Sequence, residues 1–428
     1  MKDFFENKVI PAMTKVARLK YILTLRDAFM FAFPATIFGS FAVVLMNLPG
    51  DFMKPFNSFM GQLFGNANNA TMAIMTIFVA FGIGFYLAKA DGYEDEAHFM
   101  GLCSLVSFLL VTPTYRVLES GDKIDGLFNI SNLGASGMFV GMIVSFIGAE
   151  LYAFVKKRGW KITMPPMVPE TVSKSFSALI PMLFSLTVIT LLNYVITTVA
   201  GDNLHVLIYA WLQAPLMGIG GTFGALMVTQ FMIQILWFFG IHGHNVVNHM
   251  TTPILNALGL QNLERYTQGL EPMNIFTQQF QDIFTVGLGG SGMTIMVVLT
   301  MIFIMKSKTL KSLGKLAIGP GVFNVNEPVI FGLPVVLNPL ALVPWVLGTM
   351  SAAALAYFTM KLGIVPLTTG VTIPWTTPIF ISGFLATNSI MGSLLQLVQA
   401  ILIAIIWYPF LKKMDKQYMG EDLEDEVA

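Results

Sequence analysis

Apolar residues in this chain are gathered into long, almost unbroken runs, not into the three-and-four spacing of a helix with one wet face. The runs cover 28–48, 71–90, 98–113, 132–155, 175–199, 221–241, 283–305, 337–358 and 391–411. At 1.5 Å of rise per residue, a helix of about 20 residues crosses a hydrocarbon core of about 30 Å. The pattern predicts an all-α polytopic membrane protein with nine clear spans and a tenth hidden in broken segments.

Polar positions divide the chain. Up to about residue 200, five spans are joined by short polar loops and read as a scaffold, 27–200, with an oligomer interface. Basic residues mark the cytoplasmic ends of spans. Lys156, Lys157, Arg158 and Lys161 follow the fourth run, Lys306, Lys308, Lys311 and Lys315 the seventh, and Lys412, Lys413 and Lys416 the last. Runs 221–241 and 283–305 then both end inside, so one crossing is missing between them. The stretch 243–281 holds no run of twenty apolar residues, and part of it is expected to enter the membrane as a broken or re-entrant segment. Two further stretches, 316–334 and 361–390, mix apolar residues with Pro, Gly and Thr more densely than a lipid-facing helix does. Irregular backbone at membrane depth is tolerated only where protein or a water-filled cavity satisfies it, and transporters often build their binding sites from such segments. Residues 201–413 are therefore expected to form the functional domain.

Composition sharpens this at a few points. Hydrophobic residues make up 55% of the 428 and charged residues only 11%, against about 25% charged in an average soluble domain. Lys plus Arg and Asp plus Glu number 24 each, so no global field points to nucleic acid. The start, "MKDFFENKVIPAMTKVARLKYILTLRD", has too many charges for a signal-peptide core. Residues 1–26 read as an amphipathic segment on the cytoplasmic surface. The connector "KKRGWKITMPPMVPETVSKSF" is cytoplasmic by charge and stiff through its three prolines. Both termini are expected in the cytoplasm, with the acidic tail 414–428 solvated and disordered. The single cysteine, Cys103, lies in an apolar run and reads as a buried, unactivated thiol.

Four groups of residues carry candidate chemistry. "GPGVFNVNEPVIFGLPVVLNP", 319–339, sets Glu327 among Asn324, Asn326 and Asn338, while Gly319, Pro320, Gly321, Pro328 and Pro334 forbid a regular helix. A carboxylate at membrane depth costs about 2.5–3.5 kcal/mol even on lenient scales, and such residues usually face a pathway or site; the competing reading is a glutamate that hydrogen-bonds loop backbone. In "QILWFFGIHGHNVVNH", Gly240 and Gly243 flank His242, followed by His244 and His249. No Cys or well-spaced carboxylate completes a metal-ligand set, so no metal is expected and His242 reads as a hydrogen-bonding group aimed into a cavity. Trp237 and Trp375 lie beside broken stretches and suit a ligand apolar on its faces and polar at its edge, such as a sugar ring. Membership of the interfacial aromatic belt is the alternative for these two, and the preferred reading for Trp211, Trp345 and Trp407. "NLGASGMFVGM" opens the fourth span with small residues, for close helix packing or for exposed backbone that reaches a ligand.

Together, "VNEPVIFGLPVVLNP", "WFFGIHG", "PPMVPETVSKSFSALIP" and "LRDAFMFAFPATIFGSF" resemble enzyme IIC, the membrane subunit of the phosphoenolpyruvate-dependent sugar phosphotransferase system, in its lactose, cellobiose and N,N′-diacetylchitobiose branch. The likeness runs over nearly the whole chain. It implies about ten transmembrane helices, two re-entrant hairpins and amphipathic interfacial helices. It also implies a homodimer formed through the N-terminal half, a β-linked disaccharide bound in the C-terminal half, and a place in a bacterial cytoplasmic membrane. By this resemblance Glu327 and His242 hydrogen-bond the sugar around the hydroxyl that becomes phosphorylated, Trp237 and Trp375 line the pocket, and Asn326 stands beside them. Backbone near Ser136 and Gly137 is a looser correspondence. The phosphoryl donor is a phosphocysteine on enzyme IIB, charged by IIA upstream. Cys103 is no such donor, so the permease is not catalytic without IIB, and no cofactor is implied. A proton-coupled sugar transporter with Glu327 as its proton site is the competing function.

Overall fold

A computed structural model describes residues 19–48, 50–117, 123–165, 167–333 and 335–427. Of the expected amphipathic segment 1–26, residues 1–18 lie outside the described residues, as does Pro334. The chain divides into two compact units. Among the described residues, one comprises 19–42 and 64–218; the other comprises 43–63 and 219–427.

The apolar runs fold as helices because only a helix satisfies its own backbone in lipid. Lys20–Met46 (α1) is followed by a shorter helix Lys54–Phe64 (α2), and then Met75–Ala90 (α3), Ala97–Val111 (α4), Met138–Lys157 (α5) and Glu170–Ala200 (α6). A two-stranded antiparallel ribbon, Tyr115–Val117 (β1) with Lys123–Asp125 (β2), joins α4 to α5. Small residues let α3, α4 and α5 approach closely. A side chain at Gly84 would run into the carbonyl of Met100, and one at Gly148 into Ser107. Ser104 Oγ donates to the Ser145 carbonyl at 3.0 Å and Ser185 Oγ to that of Gly148 at 2.7 Å. Cys103 is fully buried in this core with Leu87, Met100 and Tyr152. Buried Glu96 is held by Lys156 and by Tyr152 Oη, while Lys20 bridges Asp91 and Glu150.

The helical stretch Leu204–Gly220 (α7), with a π turn at Tyr209–Gln213, carries the chain to the end of this unit at Gly218, and Phe223–Phe238 (α8) belongs to the other. Among the described residues six helices are long and apolar enough to cross a membrane, or seven if α7 and α8 count as one broken span.

In the second unit the helices after α8 are Gly243–Thr267 (α9), Gln278–Gln281 (α10), Ile295–Phe303 (α11), Lys308–Val322 (α12), Glu327–Gly332 (α13), Pro339–Lys361 (α14), Ile381–Thr387 (α15) and Ile390–Val427 (α16). Several expectations are corrected here. Residues 243–267 are one helix, whose buried face includes Val246, Val247, Leu255, Leu258 and Leu263; the chain breaks after it, at 268–276. The run 283–305 is not one span. It continues α10 through a π turn, Asp282–Val286, then passes through an irregular loop, 287–294, before α11. Gly289, Gly290 and Gly292 hold φ of 94°, 83° and 76° there and Met293 holds 57°; an apolar count cannot register such a turn. α12 runs through Gly319, Pro320 and Gly321 and ends two residues after Pro320, which removes one bond from its ladder. Trp345 and Trp407 are fully buried, not belt residues: Trp345 Nε1 donates to the Gln234 carbonyl at 3.2 Å, and Trp407 lies against Gly348 of α14. The acidic tail stays helical in backbone to Val427.

A side chain at Gly292 would run into the Trp345 ring, and its φ is one that L residues rarely adopt. Gly292→Ala is expected to cost about 1–3 kcal/mol, read as a lower melting temperature of the purified protein. An unchanged melting curve would show that the loop relaxes freely.

Candidate functional site

The last turn of α8 presents Trp237, and the chain then turns through Gly240, at φ 78°, into the N-terminus of α9. A side chain at Gly243 would run into the carbonyl of Ile233, so glycine is what lets α9 start this close to α8. His242 caps α9: its Nδ1 accepts from the backbone N–H of Asn245 at 3.2 Å. A ring nitrogen that accepts carries no proton, so the imidazole proton sits on Nε2, leaving a donor directed away from the helix. The Trp237 and His242 rings lie 4.3 Å apart at 46°. Trp237 is buried and its Nε1 has no hydrogen-bond partner among the described residues, although a buried indole N–H ordinarily finds one.

Glu327 is the first residue of α13, followed by Pro328, whose fixed φ suits a helix start. Its side chain is exposed, and no hydrogen bond or ion pair to it is found among the described residues. After α13 the chain returns to the α8–α9 turn: Leu337 N–H donates to the Phe238 carbonyl at 2.8 Å, and Val336 lies against Gly240. This return puts the segment that follows Glu327 against the α8–α9 turn that carries His242.

Asn324, which the motif reading named only as a neighbour, ties three segments together. It is buried at φ 63°, in the left-handed region that Asn tolerates better than most residues. Its Nδ2 donates to the carbonyls of Trp375, at 2.6 Å, and Thr377, at 3.1 Å. Its Oδ1 accepts from the Gly289 N–H at 2.8 Å. Trp375 itself is 45% exposed, with its backbone clamped and its ring accessible. The nitrogen of Asn326 is likewise committed, to the Ser291 carbonyl and to Thr294 Oγ1 at 3.1 Å, so its two amide protons hold the glycine loop. Ser291 Oγ also meets His244 Nδ1 at 2.7 Å.

The structure thus gathers Trp237, His242, Asn326, Glu327 and Trp375 within one unit. Ser136 and Gly137 belong to the other, in a tight turn, Ala135–Gly137, that leads into α5. There the Ala135 carbonyl accepts from Gln213 Nε2 at 3.0 Å, and Gly137 packs beside His205, whose Nε2 is 3.1 Å from Thr112 Oγ1. Sequence reasoning named His244 only as a neighbour of His242, and missed Ser291 and the glycine loop, whose signal was the run "GLGGSG" inside an apparent span.

A family model described as "Phosphotransferase system, EIIC" matches residues 26–349. The oligo-beta-mannoside-specific EIIC component of Bacillus subtilis is 47% identical over 98% of this chain and 95% of its own. The lichenan permease IIC component of Bacillus subtilis is 36% identical over 100% and 96%, and the cellobiose-specific EIIC component of Geobacillus stearothermophilus 36% over 98% and 95%. The crystal structure of the transporter ChbC, the IIC component of an N,N′-diacetylchitobiose-specific phosphotransferase system, superposes with a TM-score of 0.91 and 35% identity, covering 98% of this chain and 99% of that one.

Removing the Asn324 clamp leaves buried backbone groups without partners, a loss on the order of 3 kcal/mol. Asn324→Ala is expected to lower the melting temperature and to raise acrylamide quenching of tryptophan emission. The added quenching should vanish in a Trp375→Phe background; if it persists there, the clamp does not hold Trp375.

Proposed function

The chain belongs to the EIIC family of the phosphotransferase system, and on that premise we propose that it carries a β-linked disaccharide across a bacterial cytoplasmic membrane and presents a hydroxyl to the phosphocysteine of enzyme IIB. As a family member it is a multi-pass membrane sugar permease that works with IIB and IIA. The relatives act on oligo-β-mannosides, lichenan, cellobiose and diacetylchitobiose by their names, which supports the β-linked class. The finer architecture we assign is ten transmembrane helices and two re-entrant hairpins, a homodimer through 27–200, sugar binding in 201–413, and cytoplasmic termini.

One observation supports the site above the rest: Glu327 offers an exposed carboxylate with no hydrogen bond among the described residues, and the bond at His242 Nδ1 leaves its Nε2–H for a ligand. An acceptor and a donor so placed hold one hydroxyl from both sides, the carboxylate taking its proton side and Nε2–H its lone pair. Trp237 offers its unpaired N–H to the ring's edge, and the accessible indole of Trp375 offers a flat face.

With IIB docked, the oriented hydroxyl oxygen attacks phosphorus in line. The new O–P bond forms as the S–P bond breaks, cysteine leaves as thiolate, and the hydroxyl proton passes to Glu327. Ser136 and Gly137 are proposed to contribute backbone to the same ligand, and Asn326 to border it.

In vesicles with phosphorylated IIB, Glu327→Gln is expected to slow sugar phosphorylation about 100-fold or more. His242→Ala is expected to weaken sugar binding roughly tenfold. A Glu327→Gln protein that phosphorylates at the wild-type rate would end the base assignment. Uptake that persists without IIB and collapses with an uncoupler would instead establish proton coupling.

A further inference from the structure

Three polar side chains on the segment before the glycine loop are left unused by this reaction. Gln278, Gln281 and Asp282 stand at i, i+3 and i+4, so they share a helix face, and the π turn at Asp282–Val286 begins with the last of them. Such π turns are frequent at functional sites.

Gln278 Nε2 donates to Asp282 Oδ1 at 2.9 Å, the only orientation a carboxylate accepts. Gln281, fully buried, donates through Nε2 to Asn248 Oδ1 at 2.6 Å. Both amide nitrogens are thereby engaged, and both amide oxygens, Gln278 Oε1 and Gln281 Oε1, are buried with no donor among the described residues. Asp282 Oδ2 has no hydrogen bond among the described residues either. Two buried acceptors of this patch are thus unpaired, which is rare in a native protein. Their complement is a ligand rich in O–H donors.

The patch is also placed for a particular ligand. Asn248 lies on α9 six residues beyond His242, about 9 Å along the axis. One turn earlier on α9, His244 is joined to Ser291 in the loop that follows the patch. Elements that position His242 and Glu327 therefore also position Gln281 and Asp282. An axial offset of about 9 Å exceeds the span of one pyranose ring and is of the order of two linked rings.

We propose that Asp282, Gln278 and Gln281 form a hydroxyl-binding patch for the sugar ring that is not phosphorylated, and that they give the permease its preference for a disaccharide over a monosaccharide. This rests on the reading of the site at Glu327 and His242. It adds a specificity determinant on a different segment of the chain.

The test uses the purified full-length protein and tryptophan fluorescence titrations. The probes are cellobiose and β-1,4-mannobiose, whichever binds the wild type more tightly, and the matching monosaccharide. Asp282→Asn is expected to weaken the disaccharide roughly tenfold and to change the monosaccharide less than twofold, with the unliganded melting temperature preserved. If Asp282→Asn does not fold, Gln278→Met is expected to show the same selective loss. Equal weakening of both sugars, or of neither, overturns the proposal. So does a patch that serves an alkali cation, seen as a stabilisation by NaCl over choline chloride that Asp282→Asn abolishes while the sugar preference stays. Glu327→Gln, which should weaken both sugars, separates the two readings: if it has no effect, the site itself is misassigned, whereas failure of Asp282→Asn alone removes only the second-ring patch.

Discussion

Backbone that leaves the helix inside an apolar protein has no water to turn to, and every N–H and C=O it frees must find a partner in the protein itself. In this chain the partners are side-chain amides. Asn262 on α9 donates to the carbonyls of Asn274 and Thr368 and accepts from the N–H groups of Met273 and Asn274. Gln396 on α16 accepts from Phe380 and Gly383 N–H and donates to the Ile283 carbonyl. Gln399 donates to Phe284 and Ala352. Asn324 and Asn326 do the same for the glycine loop and the Trp375 segment. An amide carries two donors and an acceptor without a net charge, which makes it the group able to bridge two stretches of irregular backbone without the desolvation cost of an ion.

This arrangement separates the residues that build the site from those that meet a ligand. Asn324 and Asn326 are spent on backbone, so they fix where Trp375 and Glu327 stand. Among the groups left over are the indole N–H of Trp237, Nε2–H of His242, the carboxylate of Glu327 and the amide oxygens of Gln278 and Gln281 beside Asp282. A ligand that satisfies these leftovers recovers free energy that folding alone leaves unclaimed, and rigid amide clamps keep them oriented before it arrives.

The unit that holds α3 to α6 follows a different rule. Its spans are continuous, its contacts run through glycines and serines, and its buried charges are paired with each other, as Glu96 is with Lys156 and Tyr152. Such packing suits a body that keeps its shape. Cys103 belongs to that core.

Much of this was legible from residue order. Runs of about twenty apolar residues can only be helices in lipid, so the spans near 28–48, 71–90, 175–199 and 337–358 follow from local composition. A glutamate within "VNEPVIFGLP" and a histidine between two glycines are costly enough at depth to mark themselves. Other features were not legible, because they depend on contacts between residues far apart in sequence. The polar stretch 243–267 is a helix because its neighbours bury one side of it, while the apolar stretch 283–305 is broken because Asn324 and Asn326, some 35 positions on, satisfy the loop that breaks it. Trp345 and Trp407 looked like belt residues until packing buried them. The sequence by itself determined which residues could not be left in lipid without a purpose; tertiary structure decided which of them were spent on backbone and which remained for a ligand, since a hydrogen bond is allotted only when its partner's position is known.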